Sequence, residues 1–182
     1  MRARLPAAGA LLLGALALSC AGRACADGPQ IEAGFTPAGA GVSAESLVLD
    51  AIGGARHSIH VAAYTFTSRS ISRALVAARQ RGVEVRIVVD SEMNGKHYTA
   101  ATFTANHGIP TRSNARYENM HDKFMVIDGD TVETGSFNYS YTAAQYNAEN
   151  ALLIRNDAKL AAAYEREWQR LWAEGREIKP RY

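Results

Sequence analysis

The unbroken apolar run Phe124-Met125-Val126-Ile127, entered from Lys123 and left through Asp128-Gly129-Asp130, constrains the fold of this 182-residue chain more than any other segment. A strand with one wet face alternates apolar and polar side chains, so a continuous run on a strand needs cover on both faces. Val83–Val89 (VEVRIVV) is a second, β-branched strand. Around these strands apolar residues recur at helical spacing. Strands that alternate with helices and need cover above and below imply an α/β fold, a mixed β-sheet sandwiched between helices in a single domain. The length suits one such core. With 47% hydrophobic and 21% charged residues, a disordered, collagen-like or coiled-coil chain is disfavoured.

Element by element, Ile31–Phe35 is a short strand. Ser43 caps a helix running to about Ala55 that places Leu47, Val48, Ala51 and Ile52 on one side. Ser58–Phe66 is a strand, Arg69–Arg81 a helix stopped by Gly82, and Thr99–His107 a weaker helix stopped by Gly108. Ile109–Arg112 is a short strand. His121–Ile127 and Thr131–Thr134 form a hairpin about Asp128-Gly129-Asp130. Asn138 is placed to cap a short helix to about Tyr146, and Ala148–Arg155 returns as a strand. Asp157 then opens a helix whose Leu160, Tyr164, Trp168, Leu171 and Trp172 make a core stripe.

The N-terminus has the three parts of a secretory signal: Arg2 and Arg4, an apolar run from Ala7 to Leu18, and the small residues Ala24-Cys25-Ala26 at a cleavage site. Residues 1–26 are therefore expected to be a signal peptide and residues 27–182 the mature domain, exported to the periplasm or outside. A lipoprotein anchor at Cys20 and an uncleaved membrane anchor are the alternatives. Cleavage after Ala26 would remove both cysteines, leaving no disulfide, thiol nucleophile or Cys-based zinc site. It would also leave no stable membrane insertion. Residues 1–26 hold three arginines and no acid, so 17 basic and 18 acidic side chains remain, a net of −1. Bulk charge thus gives no argument for nucleic acid, and any basic surface must be local.

Chemistry concentrates in His121-Asp122-Lys123 and, past the hairpin, Gly135-Ser136-Phe137-Asn138. On a strand, His121 and Lys123 would share a face, and a polar pair on a covered strand faces a pocket or meets a desolvation cost. The second segment is expected where a strand turns into a helix, with free N–H groups and the helix dipole favouring an anion. Imidazole is a nucleophile near neutral pH and needs a partner to set its tautomer. An ammonium, a hydroxyl and an amide beside it suit the non-bridging oxygens of a phosphodiester. Glu149 is the candidate to hold the far nitrogen of His121. Asp128 is the alternative, although its place beside Gly129 suits a structural turn equally well.

These residues read HxKx4Dx6GSxN without departure, and the chain resembles the phospholipase D superfamily, whose signature this is. The stretch IHVAAYTFTSRSISRALVAARQRGVEVRIVVD, the motif, and Asn147-Ala148-Glu149-Asn150 resemble its small bacterial exported endonucleases over about residues 30–175. The resemblance implies that His121 attacks phosphorus to form a phosphohistidine, which water resolves without metal or other cofactor. It implies that Lys123 and Asn138 bind phosphate oxygens with help from Ser136, and that Glu149 orients His121.

In-line attack also needs an acid on the far side of phosphorus, and one imidazole cannot fill both places. His57, His60, His97 and His107 are not followed by lysine at the motif spacing, so a second His121 is expected from another subunit across a two-fold axis. The expected assembly is a homodimer with one composite site, its two histidines titrating as a coupled pair. The four other histidines lack metal-ligand spacing, so no metal is assigned. Arg116, Arg112 and Lys96 lie in polar loops where they could track a phosphate backbone, though such charges are more often simply solvated. Tyr64, Phe66, Phe137, Tyr139 and Tyr141 could stack bases, with packing the commoner role. The leading reading is a non-specific, metal-independent endonuclease acting on DNA, with RNA as an open second substrate. A lipid phosphodiesterase using the same chemistry and a catalytically silent DNA-binding module are the rivals.

Overall fold

The computed structural model describes residues 28–95 and 99–181. The expected signal peptide, with Cys20 and Cys25, and the residues Lys96 and His97 lie outside the described residues.

An eight-stranded mixed sheet organises these residues. Its centre is β2 (Ser58–Ala63), with β3 (Glu84–Asp90) parallel to it on one side and β5 (Lys123–Ile127) antiparallel on the other. Outward from β5 lie β6 (Thr131–Gly135), β7 (Glu149–Arg155) and β1 (Gln30–Thr36), all antiparallel to their neighbours. Outward from β3 lie β4 (Thr111–Asn114), parallel, and the two-residue β8 (Arg176–Glu177), antiparallel. Helices α1 (Ala44–Gly54), α2 (Arg69–Gln80) and α3 (Ala100–Asn106) feed one core face. Helix α5 (Ala158–Glu174) covers the other, and α4 (Tyr141–Gln145) is a single short turn. The expected mixed sheet between helices is what forms.

The continuous apolar run explains itself here. Met125 and Ile127 pack with Leu47, Val48 and Leu75 on one face, while Phe124 and Val126 meet Trp168 and Leu171 on the other. Each such side chain contributes roughly 1.5–3 kcal/mol by leaving water. Trp168 is buried whole because its indole N–H donates to the Val61 carbonyl at 2.9 Å. Helix starts follow the sequence closely: Ser43, Ser68, Thr99 and Asp157 each accept a backbone N–H of the first turn. Among the described residues no helix is long and apolar enough to cross a membrane.

Four local expectations are corrected. The strand beginning at Ser58 ends at Ala63 rather than Phe66, because the buried Asn94 side chain takes over the backbone beyond it. Its amide donates to Tyr64 O at 2.7 Å and accepts from Phe66 N at 3.0 Å. The strand expected from His121 begins at Lys123, so His121 stands in the loop before it. The short strand expected at Ile109–Arg112 forms two residues later, at Thr111–Asn114. Ser140, not Asn138, caps α4, accepting from Ala143 N at 3.1 Å.

Candidate active site

Strand register brings the chemistry-bearing residues to one end of the sheet. Lys123 pairs with Ala63, Phe124 with Thr134, and Gly135 with Ala151. The start of β5, the end of β6 and the start of β7 therefore lie side by side, with Tyr64 just past β2. Lys123 and Glu149 alternate onto the same face, that of Met125, Ala151 and Leu153. His121, Lys123, Ser136, Asn138 and Glu149 together line one open recess of about 400 Å³.

His121 is exposed, and its loop is fixed from beneath. The buried Asp90 accepts from Met120 N at 2.9 Å and from Glu92 N and Met93 N, which pins the residue before the histidine. Tyr64 lies against the imidazole, ring centres 4.4 Å apart, and its hydroxyl donates to Asn119 at 2.9 Å. Lys123 Nζ sits 3.1 Å from His121 Nδ1 and donates to the His121 carbonyl at 2.7 Å. The histidine and lysine thus meet as expected, but through this loop rather than through a shared strand face. Lys123 is almost fully buried, and burial pulls its ammonium below the ordinary lysine value despite the opposing charges of Asp122 and Glu149. An ammonium donating to Nδ1 leaves the ring proton on Nε2, so a nucleophilic Nε2 requires Lys123 to turn to another acceptor.

The GSFN segment differs from expectation in an instructive way. Ser136 N and Phe137 N are not free: both donate to the Asn150 carbonyl, at 3.1 and 3.2 Å. This close crossing accounts for Gly135, where a Cβ would stand 2.2 Å from that same oxygen. With those two N–H groups occupied and α4 only five residues long, neither the Ser136 and Phe137 donors nor a helix dipole supplies an anion site. The side chains do so instead. Asn138 Oδ1 accepts from Thr65 N at 3.4 Å, leaving its amide nitrogen without a partner among the described residues. Ser136 Oγ accepts from Asn150 N at 3.0 Å and donates to Glu149 at 2.5 Å. Asn147 Nδ2 adds a second bond to the carboxylate at 2.8 Å. Within one chain Glu149 is therefore held by Ser136 and Asn147 and makes no hydrogen bond to His121.

Other candidates fall elsewhere. Asp128 lies at the opposite end of β5 and accepts from Arg56 N, His57 N and Ser58 N at 2.7–2.9 Å. Burial works against its charge, but these three donors outweigh it and hold the carboxyl below the usual aspartate range. Its φ of 53° makes it part of the hairpin turn. Arg116 pairs with Glu174, and Arg112 donates to Trp172 O and stacks over that indole, so both belong to the α5 side. Phe66, Phe137 and Tyr139 are buried packing residues, while Tyr141 is exposed. His60 stacks on Trp168 and binds Glu165.

Sequence reading did not single out Asp90, Asn94 or Glu133. Asp90 and Asn94 flank the turn after β3, a usual place for side chains that bind nearby backbone, and this was the available signal. Glu133 had only a faint one, an acid in the β-branched stretch TVETG. It is buried on the core face, accepts from Tyr139 OH at 2.5 Å, and burial pushes its carboxyl up to about 8. Tyr139 O in turn accepts from Thr67 N and Ser68 N, so this buried pair anchors the strap that carries Asn138.

Residues 48–172 match the family model described as cardiolipin synthase, PLD-like domain. Among solved structures, the phospholipase D family member Nuc from Salmonella typhimurium is 43% identical, with a TM-score of 0.79, covering 83% of this chain and 99% of that one. A mitochondrial cardiolipin hydrolase of Xenopus laevis is 36% identical over 132 residues, 72% of this chain and 62% of that protein. A phospholipase D of Rickettsia prowazekii is 36% identical over 138 residues, 74% of this chain and 63% of that protein. The chain spans about three fifths of the length of these two curated relatives.

Proposed function

The chain belongs to the phospholipase D superfamily, and from that premise we propose that it is a metal-independent phosphodiesterase that cuts DNA internally, as a homodimer, through a phosphohistidine on His121. The observation that carries this reading is the convergence of His121, Lys123 and Asn138 on one open, polar recess. A diester phosphate entering it meets the Asn138 amide and the Lys123 ammonium. The phosphate oxygens then compete with His121 Nδ1 for Lys123 and release the imidazole to attack.

In the first step, neutral His121 bonds to phosphorus through Nε2. The bond to the leaving oxygen breaks, and His121 of the partner subunit, protonated, gives that oxygen its proton. Water then attacks the phosphohistidine, yielding its proton to the partner's His121 and restoring one neutral and one charged ring. Glu149, gripped by Ser136 and Asn147, stands in the same recess as an acceptor fixed in place. We infer further, from the Arg2–Ala26 pattern, that the protein is exported.

Two features favour nucleic acid. The recess is walled mainly by polar side chains, whereas a phosphatidyl substrate needs an apolar slot for its acyl chains. The sequence around the motif also resembles the endonucleases of the superfamily. The lipid reading is favoured by relatives named mitochondrial cardiolipin hydrolase. Plasmid nicking that survives EDTA, and falls below a few per cent in a folded His121→Ala protein, is the expected result. Hydrolysis of cardiolipin or phosphatidylcholine vesicles with DNA left intact would overturn it. A sedimenting monomer that still cuts would remove the shared site.

A further inference from the structure

Beyond His121 the recess does not end. Asn138 lines both the reacting recess and an adjoining one formed with Thr65, Thr67, Met93 and Asn147. Thr67 in turn lines a third, walled by Arg69, Ser72, Arg73 and Phe103. From these shared walls we propose that Arg69 and Arg73 form a second phosphate subsite, one that takes a non-scissile phosphodiester of a polynucleotide engaged at His121. The proposal rests on the endonuclease reading above and specifies how that site would select a polymer.

Three observations support it. First, Arg69 and Arg73 are one helical turn apart on α2, which holds their Cβ atoms about 5–6 Å apart on a single face. Second, both are exposed and neither side chain has an ion-pair or hydrogen-bond partner among the described residues. Arg86, Arg116, Arg155 and Arg170 are by contrast all ion paired. Among the described residues no acid lines the third recess and Glu92 alone does so in the middle one, while Glu45 lines a further recess that Arg69 shares. Third, the distance suits a polymer. Thr65, whose N–H holds Asn138, is four residues from Arg69, at most about 14 Å of chain. That upper bound keeps Arg69 within a few nucleotides of the reacting phosphate, counted along a strand that rises about 3.4 Å per nucleotide. A backbone leaving the catalytic recess past Asn147 and Thr67 would thus meet two uncommitted guanidinium groups, each suited to bidentate phosphate contact.

The test compares substrates with EDTA present. Wild type and Arg69→Ala/Arg73→Ala are assayed on a 30-nucleotide oligomer and on bis(4-nitrophenyl) phosphate, which has a single diester, with folding followed by circular dichroism. The expected result is a fall of tenfold or more in the ratio of kcat/KM for oligomer to that for the small diester, carried by KM. The salt dependence of oligomer cleavage should become shallower by about 1–2 in log–log slope. A ratio that changes less than twofold, or an equal loss on both substrates, overturns the subsite. If wild type hydrolyses the small diester and lipid vesicles but no nucleic acid, the endonuclease reading falls and the subsite with it. If DNA cutting is intact but indifferent to the two arginines, the subsite falls alone.

Discussion

Replacing Glu133 with glutamine tests how a buried acid supports the strap that carries Asn138. Glu133 is 1% exposed and its carboxyl, ordinarily titrating at 4.5, is pushed up to about 8 by burial, with the Tyr139 hydrogen bond a smaller opposing influence. Between those values the folded protein holds a neutral acid while the unfolded chain holds a carboxylate. The unfolded state then binds fewer protons, so stability falls as pH rises, by about 1.4 kcal/mol per pH unit. The contribution is fully present below about 4.5 and gone above about 8, a total on the order of 4–5 kcal/mol. Glutamine keeps the Tyr139 hydrogen bond and cannot ionise. Urea unfolding followed by tryptophan fluorescence, at one protein concentration and from pH 5 to 9, gives both stabilities, since Trp168 and Trp172 report on the core. The difference between the two proteins isolates this one group. It should change in favour of Glu133→Gln as pH rises and level off above pH 8, where the variant is the more stable. A difference that stays flat from pH 5 to 9 refutes the argument that Glu133 is neutral in the fold.

Two further outcomes follow from contacts around the motif. Gly135→Ala forces a Cβ onto the Asn150 carbonyl, so it should cost about 1–3 kcal/mol and shift Ser136 off Glu149. Thermal melts and kcat on a small phosphodiester should fall together, and a variant with unchanged turnover would show that the Ser136–Glu149 contact is not needed. Asp128→Asn keeps the turn conformation but weakens three charge-assisted bonds, at a cost of about 2 kcal/mol near pH 7 with kcat retained. Because the folded carboxyl titrates below its unfolded value, this stabilisation is lost as pH falls through the folded value. The gap between wild type and variant should therefore close in acid, and a gap that is constant with pH, or a lost kcat, would point to a role at the site.

How much of this was legible depended on range along the chain. Helix starts near Ser43, Arg69, Thr99 and Asp157, the Asp128-Gly129 turn and the doubly covered β5 were readable because each is a local rule acting within a few residues. Two of the departures came from partners far away in sequence. Asn94 ends β2 from 30 residues off, and the Asn150 carbonyl claims the N–H groups that local reasoning left free for an anion. Glu133 gave little warning, since an acid in a five-residue strand becomes unusual only once both of its faces are known to be covered.

What the amino-acid order alone determined is therefore the set of chemical groups, the alternation of strands and helices, and the pairing of histidine with lysine two residues on. Short-range sterics and hydrophobic periodicity are written in neighbours. The tertiary structure alone decided that Ser136 grips Glu149 rather than standing free, that the Asp128 carboxylate is taken up by the backbone of residues 56–58, and that Arg69 and Arg73 share a recess with Thr67, itself a wall of the recess next to Asn138. Those outcomes depend on strand register and on which backbone groups remain unclaimed once the sheet has formed, and both are properties of the packed chain.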